Sequence, residues 1–312
     1  MEFVWGHSGR YNDFSRYFRR QFDGKVQKIS VDGGFTCPNR DGSISRSGCS
    51  YCNNDTFNPD YCRSEKSISR QIEEGIRFFS AKYSNMRFLA YFQAYSGTYA
   101  AVPVLKERYR EALGDQRVIG LVIATRPDCV NEEILDYLEE LSQSCYLKIE
   151  FGLESVRDDT LRRINRGHTF SDSVRALEAT AERKLHSCAH LILGLPGEHY
   201  PDFMEQAKVI STLPVESLKL HQLQIHHGTP MAAAYRRNPG SFHLFPVEEY
   251  LELTADYLEL LNPSLVIERF VSQAPPAMVI APNWGLKNFE FTARLEKLLK
   301  KRDSWQGKQY SI

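Results

Sequence analysis

Six short runs rich in apolar residues alternate along the chain with longer segments of helical period. They are VQKISVD (26–32), RFLAYFQ (87–93), RVIGLVIAT (117–125), YLKIEFGL (146–153), SCAHLILGL (187–195) and SLKLHQLQI (217–225). Several are apolar almost throughout, as suits a parallel strand covered on both faces. Between them, Ile68, Ile72, Ile76 and Phe79 keep helical spacing, as do Ile134, Leu135, Leu138 and Leu141, and likewise Val174, Leu177 and Ala181. Ser67 and Asn131 are N-cap candidates, the second followed by an acidic first turn, Glu132 and Glu133. Strand and helix in regular alternation predict an α/β domain with right-handed crossovers. The pattern weakens after residue 230. There RRNPGSFHLFP reads as a loop, followed by a helix over 247–261, a strand candidate SLVIERF (264–270) and a terminal helix over 288–301.

The composition excludes several classes of protein. With 312 residues, 42% hydrophobic and 25% charged, the chain is long enough for one large domain or two small ones. Lysine plus arginine equals aspartate plus glutamate, so no global field draws it to nucleic acid or membrane. The opening MEFVWGHSGRYNDFSRYFRR has no apolar core or cleavage site of a signal peptide, and no apolar run is long enough to span a bilayer. Seven cysteines, an odd number, do not suit a disulfide framework. The expectation is a cytoplasmic protein with reduced thiols and no membrane partner.

Parallel α/β sheets and barrels bind ligands at the carboxyl ends of their strands. The loop CPNRDGSISRSGCSYCNND (37–55) follows the first strand candidate directly. Five further strand ends carry QAYSG, TRPD, GLES, GLPGE and HHGTP. These loops together describe the rim of one site, and so an enzyme.

The loop carries Cys37, Cys49 and Cys52, with gaps of eleven and two residues. A structural zinc site closes at four ligands, so three thiolates would need a fourth, with Cys62 or a histidine the candidates. A 4Fe–4S cluster normally takes four cysteines, and holding it with three leaves one iron open to a small molecule. Spacing alone leaves zinc and iron–sulfur both open.

The wider sequence resembles the radical S-adenosylmethionine (SAM) superfamily, and within it the branch typified by YhcC and YtqA, which is related to the radical SAM domain of the Elongator catalytic subunit. The resemblance runs from about residue 8 to the C-terminus. It rests on GGFTCPNRDG, GCSYCN, YFQAYSGTYA, ATRPDCV, FGLES with INRGHT, HLILGLPGE and IHHGTPM. The superfamily's common C-x3-C-x2-C signature has a shorter first gap, and the long gap here matches the Elongator-like branch.

The resemblance implies a partial (βα)6 TIM-like barrel with a C-terminal α/β extension that lengthens the sheet and closes the mouth. Its parts would be an N-terminal basic and aromatic segment (1–25), a radical SAM core (26–230) and the extension (231–312). It implies that Cys37, Cys49 and Cys52 hold three irons of a 4Fe–4S cluster whose fourth iron chelates the amino and carboxylate groups of SAM. One electron would then release methionine and a 5′-deoxyadenosyl radical, drawn from a donor such as flavodoxin or ferredoxin. Tyr51 matches the position that packs near adenine. Gln93, followed by Ala94 and Tyr95, stands where relatives hold the methionine amino group with a Gly-rich turn that this sequence lacks. Glu154 replaces a usual glutamine and suits a ribose hydroxyl. Arg166 matches the arginine that pairs with the SAM carboxylate, a task its planar fork fits. His190 stands at a polar ribose contact, with a core histidine as the alternative.

Cys145 and Cys188, in or beside apolar strands, read as inert small residues. Cys129, at a strand end after TRPD, is a candidate catalytic thiol. His226 and His227 face substrate or end a strand. The stretch RYNDFSRYFRRQFDGKVQK mixes six basic residues with five aromatics, and the tail KLLKKRDSWQGKQY is basic too. Such segments bind RNA or form solvated amphipathic helices. The resemblance points to tRNA, because the Elongator subunit and the YtqA-type branch act on wobble uridines. A radical enzyme acting on a small metabolite is the enzymatic alternative, and a zinc-binding RNA-interaction module without catalysis the alternative of another class.

Overall fold

The strand and helix periods of the sequence become a single-layered curled sheet in the computed structural model, which describes residues 2–22, 24–56, 58–80 and 86–311. The chain begins with α1 (Phe14–Gln21), β1 (Val26–Val31), α2 (Pro38–Asp41), α3 (Ile68–Ser80), β2 (Arg87–Phe92), α4 (Val102–Ala112) and β3 (Val118–Thr125). It continues with α5 (Glu132–Ser142), β4 (Tyr146–Glu154), α6 (Asp158–Arg163), α7 (Phe170–Glu182), β5 (His186–Leu193) and α8 (Tyr200–Ser211). The last part holds β6 (Ser217–Gln222), β7 (Ile225–His226), α9 (Pro230–Arg237), α10 (Val247–Leu260), β8 (Val266–Arg269), β9 (Val279–Ala281) and α11 (Asn288–Lys301).

The main sheet has seven parallel strands in the order β1-β2-β3-β4-β5-β6-β8. Every strand lies beside the next, so right-handed crossovers place the connecting helices on one face. The other face curls inward. Lys28 on β1 reaches Glu268 on β8 at 3.0 Å, although those two strands share no backbone pairing. This is the expected partial barrel, with β8 of the C-terminal region as its seventh strand.

Period-two alternation separates the two faces. On β4, Leu147, Ile149, Phe151 and Leu153 are fully buried in the core shared with Leu135 and Leu138 of α5 and Leu177 of α7. The intervening Lys148, Glu150 and Glu154 point into the barrel, where Lys148 and Glu150 meet charged partners and Glu154 lines a cavity. The same core takes Ile72 and Ile76 of α3, Leu105 and Tyr109 of α4, Phe203 and Ile210 of α8, and Leu258 of α10.

Helix α1 stops the barrel at the amino ends of the strands. Phe14, Phe18 and Phe22 pack on Leu89, Val122 and Tyr146, with edge contacts from Tyr146 to Phe18 and Phe22 at 5.7 and 5.2 Å. Its N-cap, Asp13, also bridges to Ile267 of β8. Phe14, Phe18 and Phe22 of the N-terminal segment are therefore a plug, on the end of the barrel away from the cysteine loop. The basic tail has a similar role: Gln306 accepts from the Asn12 amide at 2.9 Å and donates to Asn262 and Leu265 carbonyls.

The Ser67 hydroxyl and the Asn131 side chain both cap, accepting from the Arg70 and Ile134 amides. The run 217–225 is not one strand. It leaves the sheet after Gln222, whose side chain accepts from the Ser272 amide at 2.6 Å, and Ile225–His226 then pairs antiparallel with β9. Helices α4 and α8 lie outside the segments singled out by periodicity. No helix among the described residues is long and apolar enough to cross a membrane.

Candidate active site

A cavity of about 620 Å³ opens at the carboxyl ends of the strands. That volume lies in the range of pockets that take a small ligand or cofactor. Cys37, Cys49, Tyr51, Cys52, Gln93, Glu154, Arg166 and His190 all line it. Eight positions spread over 154 residues of sequence thus meet on one surface. Cys129 is not among them. It borders a separate depression with Thr98 and Asp128, and burial pushes its thiol up to about 12. Cys62 packs in the core, its thiol also pushed up to about 12 by burial and Asp32, so it offers no fourth ligand to the loop. Cys188 is buried on β5 and Cys145 half-buried. His226 is buried at the end of β7 and borders a side pocket, while His227 is exposed.

The cysteine loop is fastened to the turn that follows α6. Asn39, fully buried, donates from Nδ2 to the Asn165 carbonyl at 2.6 Å and to Cys49 Sγ at 3.4 Å. Asn165 returns a bond to the Gly48 carbonyl at 2.7 Å, and the Ser50 amide donates to the Ile164 carbonyl at 2.8 Å. Arg126 forks onto Asp128 and donates to the Arg166 carbonyl at 2.8 Å. Arg40 donates to the Cys52 carbonyl at 2.8 Å. Gly167, at φ +79°, permits this closeness, since a Cβ there would stand 3.1 Å from Asn39 Oδ1.

The chemistry of the donor set fits a 4Fe–4S cluster held by three thiolates. Three thiols face one cavity, yet among the described residues no three His, Cys, Asp or Glu side chains converge on a point that one metal ion could occupy. A zinc ion needs its ligands at bonding distance from one centre. In an iron–sulfur cluster each thiolate takes a different iron, so the sulfurs stand apart.

Arg166 lies beside the cysteines. Its Nη1 donates to Cys49 Sγ at 3.5 Å, its Nη2 to the Gly152 carbonyl at 2.5 Å, and it pairs with Glu154 at 3.6 Å. Nε is buried and has no hydrogen-bond partner among the described residues. The two side chains of the pair are only 7% and 12% exposed, so this is not a surface ion pair. Burial opposes the charge on Arg166, but Tyr51, Cys49 and Glu154 outweigh it and hold its pKa well above the ordinary value. Gly152 makes room: a Cβ there would lie 2.7 Å from Glu154 Oε1 and 2.8 Å from Arg166 Nη2.

Backbone strain gathers at the same place. Non-glycine residues with left-handed φ include Tyr95 (+57°), Glu154 (+71°) and Asn165 (+53°), the first two on the cavity wall and the third next to Arg166. Such conformations cost roughly 1–3 kcal/mol each and persist where the surroundings dictate them. Tyr95 explains the missing Gly-rich turn. It adopts the glycine-like conformation itself, with its amide held by Asn54 Oδ1 at 3.1 Å.

Below this layer the barrel is ionic. Glu150, wholly buried, accepts from Lys28 and Tyr91 at 2.7 Å, Lys219 at 2.5 Å and, at 3.1 Å, pairs with His190 Nε2. Burial would raise its pKa, but Lys219, Lys28 and His190 hold it well below the usual range. Glu268 pairs with Lys148 at 2.7 Å and Lys28 at 3.0 Å. His190 thus combines the two expected roles, a polar core histidine that also borders the cavity. Sequence reading passed over Asn39, Arg126, Glu150, Lys219 and Glu268. A signal was present: YLKIEFGL, SLKLHQ and LVIERF each set charges inside an apolar strand, as an inward polar face requires.

Comparison with known proteins gives these contacts a family. The Radical SAM superfamily domain matches residues 37–210, and the Radical SAM C-terminal domain matches 215–301. YtqA of Bacillus subtilis strain 168 is 34% identical over 299 residues, which are 96% of this chain and 92% of that protein. The tRNA uridine(34) acetyltransferase of Methanocaldococcus infernus is 25% identical over 189 residues, 60% of this chain but only 34% of the larger protein. Among solved structures, archaeal Elp3 from Methanocaldococcus infernus superposes with a TM-score of 0.64 at 16% identity, covering 91% of this chain and 64% of that one.

Proposed function

We propose, from the premise that this chain belongs to the radical SAM superfamily, that it holds a 4Fe–4S cluster on Cys37, Cys49 and Cys52 and acts with SAM on the side chain of a tRNA wobble uridine. The observation that carries the cofactor reading is the meeting of three thiols and a buried arginine with an unpartnered Nε on one cavity wall. When bound, the cluster supplies the electron that splits SAM into methionine and the 5′-deoxyadenosyl radical that takes a substrate hydrogen.

The chain's own residues bind and orient. Asn39 and Arg166 direct N–H groups at Cys49 Sγ and offset thiolate charge there. Arg166 takes the SAM carboxylate through its guanidinium, a charge-assisted contact in a buried setting. The strained Gln93–Tyr95 turn receives the amino group. Glu154 accepts from ribose hydroxyls, Tyr51 packs on adenine, and His190, held through Nε2 by Glu150, leaves its other ring nitrogen for the ribose. An electron donor such as flavodoxin or ferredoxin completes the scheme.

Two observations support the substrate. Relatives named as tRNA uridine(34) acetyltransferases match over more than half of this chain, and the archaeal Elp3 structure shares its fold. Nucleoside mass spectrometry of total tRNA from a deletion strain tests it. Loss of one wobble-uridine modification, with its precursor accumulating, is the expected result. An unchanged profile would overturn the tRNA reading in favour of a small metabolite.

A further inference from the structure

We propose that Arg269 is a specificity residue that binds a carboxylate of the substrate, on the cavity wall formed by the last strand. The inference rests on the cavity being the substrate site of a radical SAM enzyme, and not on the substrate being tRNA. Strict alternation along β8 would send Arg269 outward, because its neighbour Glu268 points into the barrel at Lys148 and Lys28. A register shift intervenes. Leu218 pairs with Ile267 and Lys219 with Arg269, so Glu268 is the extra residue of a β-bulge. Bulges re-aim side chains, and here both consecutive residues face inward, with Arg269 on the cavity lining.

Among the described residues the Arg269 side chain has no partner. It is half-buried, and its guanidinium makes no hydrogen bond or ion pair with any of them. The carboxylates nearest in the fold are already engaged. Glu150 is paired with Lys28 and Lys219, Glu268 with Lys28, Lys148 and Lys219, and Glu216 with Lys148. Three lysines are thus met by three carboxylates. Burial depresses the pKa of both cavity histidines, His190 and His221, so neither adds charge near neutral pH. The Arg269 guanidinium is the surplus charge of the barrel floor, and a half-buried cation without a counterion is an unfavourable resting arrangement.

The surroundings suit a carboxylate. His221 stacks obliquely on His190 at 5.5 Å, has no hydrogen-bond partner among the described residues, and as a neutral imidazole offers one N–H. Gln273, exposed just after β8, adds an amide on the same wall. A planar guanidinium flanked by two neutral donors matches a planar anion. Arg269 pairs in register with Lys219, inside the barrel, so the group it holds must enter the cavity. A substituent on the reacting part of the substrate does so, whereas a phosphate of a nucleic-acid backbone stays outside.

Two measurements on the anaerobically reconstituted holoenzyme decide the matter. The first uses acetate as the probe. Sodium acetate, against sodium chloride at equal ionic strength, should raise the melting temperature of the wild type by a few degrees, the scale of a filled weak site. The shift should vanish in Arg269→Gln and shrink in Arg269→Lys, which keeps the charge without the fork. Equal shifts in wild type and variants overturn the proposal. The second needs no variant. tRNA from a deletion strain is treated with ammonium and a water-soluble carbodiimide, which amidates carboxylates and spares phosphodiesters, and then with mild alkali, which removes the adducts the reagent forms on uridine N3 and guanine N1. Turnover by the wild type should fall roughly tenfold or more, the scale expected when a charge-assisted hydrogen bond is removed. Undiminished turnover of the amidated tRNA overturns the proposal. If the untreated tRNA is not turned over at all, the tRNA reading falls, and the acetate result still decides for or against Arg269.

Discussion

Lys28 and Glu268 join the first and last strands of the sheet across its open side, Nζ to Oε2 at 3.0 Å, without any backbone bond between those strands. The contact belongs to a buried network in which Lys148 and Lys219 also reach Glu268. Removing one member of such a set leaves uncompensated charge in a medium that cannot solvate it. Glu268→Gln should therefore cost about 3–5 kcal/mol, read as a lower midpoint in urea. Lys28→Met combined with Glu268→Gln should cost less than the two single changes added together. Additive losses would show that the two side chains do not hold the strands as a pair.

The cysteines predict a metal inventory. Protein prepared without oxygen should contain about four irons and four sulfides per chain. Cys37→Ala, Cys49→Ala and Cys52→Ala should each abolish that content, because two thiolates do not retain a cluster. Cys62→Ala should keep it, since Cys62 packs in the core away from the cavity. Stoichiometric zinc with no iron after reconstitution would contradict the donor-set argument.

The legibility of the chain followed the strength of each physical signal. Apolar runs of β4 and β5 and the caps at Ser67 and Asn131 were readable because periodicity and local hydrogen bonding fix them within a few residues. The seven positions assigned to cluster and SAM other than His190 lie on loops or strand ends, and short motifs mark those. The ionic floor was not readable as a site. Lys28, Glu150 and Glu268 are 122 and 118 residues apart in sequence, and only the curl of the sheet makes them partners. The bulge that turns Arg269 inward leaves no mark in SLVIERF, because it arises from the register with β6. Helix α4 does carry a sequence signal, for Val102, Leu105, Tyr109 and Ala112 share one face.

Arg166 and Gly152 predict SAM affinity together. Arg166→Ala should weaken SAM binding by roughly 1.5–3 kcal/mol, the scale of a charge-assisted hydrogen bond, while the iron content survives. Gly152→Ala should weaken it as well, although alanine removes no side-chain group. Its Cβ would occupy the space of the Arg166 guanidinium and the Glu154 carboxylate. Equilibrium dialysis with labelled SAM measures both. An unchanged affinity in Arg166→Ala would remove the carboxylate assignment.

The N-terminal helix should not be the RNA-binding element. Arg16 is paired with Asp13 at 3.1 Å, Arg20 donates to the Trp5 carbonyl at 2.6 Å, and the helix lies at the amino ends of the strands, opposite the cavity. Replacing Arg16, Arg19 and Arg20 by glutamine should leave tRNA affinity and its salt dependence close to those of the wild type. Were these side chains to neutralise phosphates, each phosphate released would lower the slope of log affinity against log salt by nearly one. A measured drop in that slope would return the segment to the RNA interface.

Glu198 supplies a pH dependence with a definite sign. It sits in the GLPGE loop, 5% exposed, accepting from the Ser155 hydroxyl through Oε1 while buried Oε2 has no hydrogen-bond partner among the described residues. Burial raises its pKa from the ordinary 4.5 to about 7, with Ser155, Thr160 and Arg157 opposing the shift and Asp202 adding to it. The folded state therefore keeps the proton between those two values, where an unfolded chain has lost it. Stability from this group is complete below pH 4.5 and is lost as pH rises toward 7, by about 3 kcal/mol for a shift of this size. Glu198→Gln keeps an uncharged acceptor for Ser155 and removes the ionisation. The variant should match the wild type near pH 4.5 and exceed it at pH 8, in urea unfolding followed at both values. Equal stability of the two proteins at pH 8 would mean that the carboxylate ionises at its ordinary pKa, with water reaching Oε2.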